Sequence, residues 1–241
     1  MRRKKIWFIV NPVSGGITKD DIANLISDIL SRSLYDWRIC YTGYAGHGAV
    51  LATMAVENDI DVVVAVGGDG TVNEVARSLV HSKTVLGIVP CGSGNGLARH
   101  LQIPMEPRKA LEMINVGENI SIDYGLINNR PFFCTCGMGY DAAVSYKFSS
   151  SCKRGLKAYV ENALMELAKY KPEAYTIIDN KVERTYKAFC IALANASQYG
   201  NNAYIAPEAS MNDGLMDVTV VEPFPLIEAA SMAYMLFNGM F

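Results

Sequence analysis

The chain has 241 residues, half of them hydrophobic and 19% charged, with 22 Lys plus Arg against 24 Asp plus Glu and a formal net charge of −2. That length fills one large or two modest domains, and the charge balance excludes a global positive field of the kind that steers proteins onto nucleic acid or anionic membrane, so any lipid contact is local. Six scattered cysteines without a CxxC pair exclude a sequence-encoded zinc site and read as reduced thiols of a cytoplasmic protein, and no apolar run approaches the roughly 20 residues of a membrane span.

The only basic run, Arg2-Arg3-Lys4-Lys5, precedes the first strand and reads as a solvated terminus without function. From there to about residue 103 a strand, loop, helix pattern recurs. Continuous apolar or β-branched runs at Ile6–Val10, Trp37–Tyr41, Val62–Val66 and Val85–Val89 predict strands of a parallel sheet covered on both faces. The clearest helix has Ile22, Leu25, Ile26, Ile29 and Leu30 on one face after a Thr18 or Asp20 cap. An open α/β domain over residues 1–120 follows from this pattern.

Beyond Pro104 a short helix near Arg108–Asn115 leads to the run Ile120–Ile127, then Asn128-Asn129 and a second run, Pro131–Cys136, together read as a hairpin. A helix over Lys153–Tyr170, with Leu156, Tyr159, Val160, Ala163, Leu164 and Leu167 on its apolar face, is inserted before strands at Tyr175–Ile178, Ala188–Ala194 and Leu215–Val221. Residues 121–241 are therefore expected to form a β-rich sandwich-like domain. An apolar helix from near Leu226 runs into Phe241 without a polar tail or cap, which reads as a truncated end.

Open α/β sheets place ligands at the carboxyl ends of their strands, and four such loops carry glycine and small polar residues. The first is Asn11-Pro12-Val13-Ser14-Gly15-Gly16. The second holds Thr42 and Gly46-His47-Gly48-Ala49, where His47 is expected to brace the loop. The third, Gly67-Gly68-Asp69-Gly70-Thr71, enters a helix carrying Asn73 and Glu74. Its three glycines suit close ligand approach around one carboxylate, the arrangement that bridges Mg²⁺ to a polyphosphate. The loop shape is expected to come from the glycines rather than from the carboxylate. The fourth, Pro90-Cys91-Gly92-Ser93-Gly94-Asn95-Gly96, also opens a helix, and it is neither a Walker A loop nor a dinucleotide fingerprint.

These segments resemble the diacylglycerol kinase catalytic superfamily, which also holds sphingosine, ceramide and bacterial lipid kinases and is distantly related to NAD kinase and phosphofructokinase. The resemblance continues in Gly137-Met138-Gly139-Tyr140-Asp141-Ala142, in Arg154-Gly155-Leu156-Lys157, and in Ala206-Pro207-Glu208 leading to Asp213-Gly214-Leu215. It implies a phosphofructokinase-like first domain binding ATP, a β-rich second domain, and transfer of the γ-phosphoryl group to a lipid hydroxyl in the cleft between domains. It implies Asp69 as the catalytic residue, holding Mg²⁺ or acting as general base. It places Asn11, Ser14, Gly15, Thr42, Gly67, Gly68, Gly70, Thr71, Glu74, Gly92, Ser93, Gly94 and Asn95 on the nucleotide, Asp141 on the lipid headgroup, and a structural Mg²⁺ on Asp213 with the carbonyls of Ser210 and Leu215. A plain Asn-Asp-Gly turn is the rival reading of that last loop.

Two departures from the family pattern stand out. Asn95 is followed by Gly96 where bacterial diacylglycerol kinases carry Asp, which leaves the acceptor open among diacylglycerol, a sphingoid base and other lipid alcohols. No late acidic catalytic residue follows Leu215, so this chain is expected to bind nucleotide yet phosphorylate lipid poorly. A NAD kinase-like enzyme and a non-catalytic nucleotide-binding regulator are the alternatives. The partners implied are a lipid substrate, a transient peripheral membrane contact and, as an open option, a second copy in a homodimer.

Overall fold

The computed structural model describes residues 2–14, 18–150, 156–167 and 169–241. Two compact units emerge: Met1–Ile122 with Leu126–Phe133, and Asp123–Gly125 with Cys134–Phe241.

In the first unit, β1 (Lys4–Val10), β2 (Tyr35–Tyr41), β3 (Val62–Gly67) and β4 (Val85–Pro90) form an all-parallel sheet in the order β2-β1-β3-β4. The four apolar runs are these strands, each extended by one or two residues. Parallel neighbours require crossovers, supplied by α1 (Lys19–Ile29), α2 (His47–Glu57) and α3 (Asp69–Leu79). Helix α1 starts at Thr18, whose hydroxyl accepts the Asp21 N–H at 3.1 Å while the Asp21 carboxylate accepts the Thr18 N–H, a reciprocal cap. Helices α4 (Gly96–His100) and α5 (Pro107–Val116) follow β4. One face of the sheet buries Ile6, Phe8, Val10, Val64 and Val66 against Ile22, Ile26 and Leu30 of the α1 segment and Leu111 of α5.

The Asn128-Asn129 turn joins β5 (Gly125–Ile127) to β6 (Arg130–Phe132), with both asparagines at positive φ as a tight hairpin turn requires. This hairpin belongs mainly to the first unit, past the boundary expected at residue 120. It corrects two strand readings. Ile120 is 69% exposed and only the last three residues of its run are strand, while Pro131–Cys136 splits between β6 and β7 (Thr135–Gly139) in different units.

In the second unit, β10 (Cys190–Ala194) lies antiparallel between β7 and β11 (Asp217–Val221). A separate hairpin pairs β8 (Glu173–Asp179) with β9 (Val182–Ala188) around Asn180-Lys181, again at positive φ. Strand β9 escapes sequence reading because its residues are mostly exposed and show no apolar alternation. Helix α7 (Leu156–Leu167) lies within the helix expected over Lys153–Tyr170, and a further helix, α6 (Tyr140–Ser150), precedes it where none was expected. The side chains of Leu156, Tyr159 and Val160 lie outside the described set, and Leu164 is exposed rather than packed on an apolar face. Helix α8 (Ala229–Asn238) does end in a cap: Gly239 adopts φ 64° and its N–H donates to the Met235 carbonyl.

Leu111 has no exposed surface in this core. Its replacement by alanine is expected to destabilise the first unit by about 2–5 kcal/mol, read as a lowered urea midpoint of that unit's transition.

Candidate functional site

The sheet hydrogen bonds run one residue past the strands and set the loops side by side. The Asn11 N–H donates to the Val66 carbonyl at 3.0 Å, the Thr42 N–H to the Val10 carbonyl at 2.9 Å, and the Cys91 N–H to the Gly67 carbonyl at 2.8 Å. All four glycine-bearing loops thus gather at the carboxyl end of one sheet.

Asp69 opens α3 and reaches into the fourth loop. Its Oδ2 accepts the Asn95 N–H and its Oδ1 the Gly96 N–H, each at 2.7 Å. Burial pushes the Asp69 carboxyl above its ordinary pKa, and these backbone donors pull it back down. The carboxylate therefore shapes the loops, contrary to the expectation that glycines alone do so.

The glycines divide by role. A Cβ on Gly92 would stand 2.5 Å from the Gly68 Cα, and one on Gly67 would stand 2.6 Å from the Thr71 hydroxyl, so these positions make room for the protein itself. A Cβ on Gly70 would meet nothing within 4 Å. No protein atom accounts for the glycine at 70, which lies in the first turn of α3, where Gly68 supplies no side-chain cap.

Several polar side chains of the motif turn inward. Asn95, at φ 54°, accepts the Gly92 N–H through Oδ1 at 2.9 Å and donates Nδ2 to the Gly92 carbonyl at 2.8 Å, closing the loop on itself. Arg99 of α4 donates Nε to the Gly94 carbonyl at 3.0 Å. Glu74 spends both carboxylate oxygens on the start of α2, accepting the Gly46 N–H at 2.8 Å and the Gly48 N–H at 3.1 Å. His47 braces the same loop: Nδ1 accepts the Gly43 N–H at 3.0 Å and the ring stacks on Tyr44. Asn11 donates Nδ2 to the Thr71 hydroxyl at 3.1 Å, tying the first loop to the third. Ser93 is exposed at the tip of the fourth loop, Thr42 and Ser14 are half-buried, and Gly15 lies outside the described residues.

In the second unit Asp141 sits in the first turn of α6, not in a loop. Its Oδ1 accepts the Ala142 N–H at 2.7 Å and its Oδ2 the Tyr199 hydroxyl at 3.0 Å. The carboxylate occupies the space a side chain at 137 would fill, which makes Gly137 obligatory. Burial pushes its pKa up, and burial with the Asp141 charge raises the Cys136 thiol to about 11 and the Cys190 thiol to about 12. Tyr199 lies 58 residues from Asp141 and carried no sequence signal.

The Ser210–Leu215 loop is held by its own polar groups. The Asp213 Oδ1 accepts the Leu215 N–H at 3.0 Å, and the Asp123 carboxylate accepts the Gly214 N–H at 2.9 Å. This is the geometry of an Asn-Asp-Gly turn with Gly214 at φ 74°. Asp123, absent from the sequence reading, also donates its N–H to the Met211 carbonyl. Among the described residues no three His, Cys, Asp or Glu side chains form a metal cluster.

Two outcomes follow from this geometry. Gly92→Ala forces Gly68 and Gly92 apart and is expected to cost about 1–3 kcal/mol, measured by urea denaturation. Asp141 has a folded pKa above its unfolded value, so its favourable contribution is complete below about pH 4 and is lost as pH rises through the folded pKa. Asp141→Asn is therefore expected to gain stability relative to the parent between pH 4 and pH 7, read from paired denaturation curves; a constant difference would contradict the assignment.

Residues 5–127 match the model of the diacylglycerol kinase catalytic domain, and residues 134–241 that of the YegS C-terminal NAD kinase beta sandwich-like domain. A Bacillus subtilis protein named diacylglycerol kinase is 31% identical, the match covering 99% of this chain and 80% of that protein. A Klebsiella pneumoniae protein named "Probable lipid kinase YegS-like" is 32% identical over 73% of this chain and 61% of its own length. The crystal structure of a diacylglycerol kinase from Bacillus anthracis shares the fold, with a TM-score of 0.75 at 20% identity, covering 99% of this chain and 77% of that one. The chain belongs to the diacylglycerol kinase catalytic-domain family.

Proposed function

We propose that this chain is an ATP-dependent lipid kinase whose phosphate site is the first turn of α3. The observation that carries the reading is the open space at Gly70 beside an uncapped helix start, next to a carboxylate held in place by two backbone donors. Free N–H groups at a helix start suit the oxygens of a polyphosphate, and a carboxylate with second lone pairs still available suits a hard, oxygen-ligated cation. ATP supplies the γ-phosphoryl group when bound, and Mg²⁺ spreads the charge of its oxygens.

Asp69 fits a positioning and cation-holding role better than that of a base, because both of its oxygens already accept N–H groups. Asn11 and Thr71 hold the first loop beside the helix start. Asn95, Arg99 and Glu74 act from behind the loops, fixing the shape that Ser93, Thr42 and Gly70 present. Asp213, exposed on its turn, suits a structural Mg²⁺ together with the carbonyls of Ser210 and Leu215, in keeping with the oxygen-donor chemistry of that ion.

The acceptor we favour is a diacylglycerol-type lipid alcohol, in line with the names of the relatives. One observation favours an amino-alcohol lipid instead: Asp141 is half-buried, and among the described residues no lysine, arginine or histidine bonds it. Labelled ATP offered with diacylglycerol, a sphingoid base, ceramide and NAD decides between these. Transfer to no lipid in the panel would overturn the kinase reading. Asp141→Asn is expected to lower kcat/KM on the sphingoid base alone if the headgroup is cationic.

Asp69→Asn retains one acceptor oxygen and turns an amide N–H toward a backbone N–H. It is expected to lower turnover at least about a hundredfold and stability by about 1–3 kcal/mol, measured as initial rate and urea midpoint. An unchanged rate would remove Asp69 from the reaction.

A further inference from the structure

Residues 198–204 fold into a tight hairpin in the second unit. Gln198 pairs with Tyr204, the Tyr199 N–H donates to the Ala203 carbonyl at 2.9 Å, and the Ala203 N–H closes the turn on the Gly200 carbonyl at 3.0 Å. Gly200, Asn201 and Asn202 stand at φ 116°, 51° and 63° in succession. Glycine and asparagine adopt this left-handed backbone at the least cost, so the turn is written into the sequence at these positions.

The hairpin is anchored on three sides without help from any tyrosine hydroxyl. Gln198, 3% exposed, accepts the Asn202 N–H through Oε1 at 3.0 Å, and its carbonyl accepts the Cys134 thiol at 3.2 Å. The Tyr204 N–H donates to the Leu236 carbonyl of α8 at 2.8 Å, and the Ser197 carbonyl accepts the N–H groups of Ile205 and Ala206. The Tyr199 ring packs against the core that includes Cys190, Ala192 and Ile205. Its hydroxyl is thereby delivered, by a rigid element, to the Oδ2 of Asp141.

Both oxygens of Asp141 now carry one donor, the Ala142 N–H on Oδ1 and the phenol on Oδ2. A carboxylate has about four lone-pair sites, so a further hydroxyl still finds an acceptor. An ammonium gains most from a carboxylate oxygen that nothing else serves, and neither oxygen is in that state. Burial also raises the Asp141 pKa and so disfavours the anion that an ammonium needs. We propose that Tyr199 is a specificity-determining residue: it loads Asp141 with a donor, so that the carboxyl group reads the neutral hydroxyl of a diacylglycerol-type lipid in preference to the ammonium of an amino-alcohol. This rests on the placing of Asp141 at the acceptor lipid and names the group that decides between the two lipid classes.

Tyr199→Phe keeps the packed ring and removes only the hydroxyl. Calorimetry on the full chain measures binding of a short-chain diacylglycerol and of a short-chain 2-amino-1,3-diol, and initial rates with ATP give kcat and KM for each. The parent is expected to bind the diacylglycerol more tightly. In Tyr199→Phe the ratio of amine to diacylglycerol affinity is expected to rise at least about tenfold, with the change in KM rather than kcat. In an Asp141→Asn background the same substitution is expected to move the ratio by less than about twofold, because the carboxylate through which Tyr199 acts is gone. Equal weakening of both lipids would make the phenol a brace of the fold and overturn the proposal. An unchanged ratio, a shift that persists without the carboxylate, a parent that favours the amine, or a parent that binds neither lipid would overturn it too. Binding with the expected ratios but no phosphoryl transfer would strike the kinase reading and leave the assignment of Tyr199 standing.

Discussion

The site rests on one carboxylate shared between two loops. Asp69 belongs to α3 by sequence, yet both its oxygens are bonded to the start of α4. The backbone contact between Gly68 and Gly92 permits this approach, and the hydrogen bond from Cys91 to Gly67 aligns it. Asp69 keeps exposed surface, and two short N–H bonds fix its carboxylate in place. The same charge that suits the phosphate chemistry of the family therefore also holds the third and fourth loops together. A substitution at 69 cannot separate these duties by activity alone.

The first unit was legible because a parallel sheet covered on both faces needs uninterrupted apolar strands, and Val62–Gly67 is buried at every position. The second unit was less so. Strand β9 is mostly exposed, and the run from Ile120 is apolar without being strand, since only Gly125–Ile127 finds a partner in β6. At the site, residue types announced themselves and residue roles did not. A glycine facing open space and one that admits another backbone read alike, so Gly70 and Gly92 became distinct only in three dimensions. Asn95 and Glu74 looked like ligand contacts, but their partners are main-chain groups of Gly92, Gly46 and Gly48.

The second unit repeats the theme of a carboxylate seated over a glycine. Asp141 fills the place of a missing side chain at Gly137, and a phenol from a distant loop completes its bonding. Its neighbours Cys136 and Cys190 are held as thiols by burial and by that negative charge, which makes them poor nucleophiles. The polar centre of this region is therefore a hydrogen-bonded carboxylate rather than a reactive sulfur.

The order of strands in the first unit carries a consequence for assembly. Strand β1 is paired on both sides, but the strand that completes the set of glycine-bearing loops is β4, the last of this sheet's four strands to be synthesised and the outermost on its side. Parallel pairing closes long loops before it gains contacts and is slow for that reason. Until β4 docks, Gly92 has no Gly68 to rest on and Asp69 has no donors. The arrangement around Asp69 is therefore a product of the last step of the sheet's assembly rather than of the steps before it.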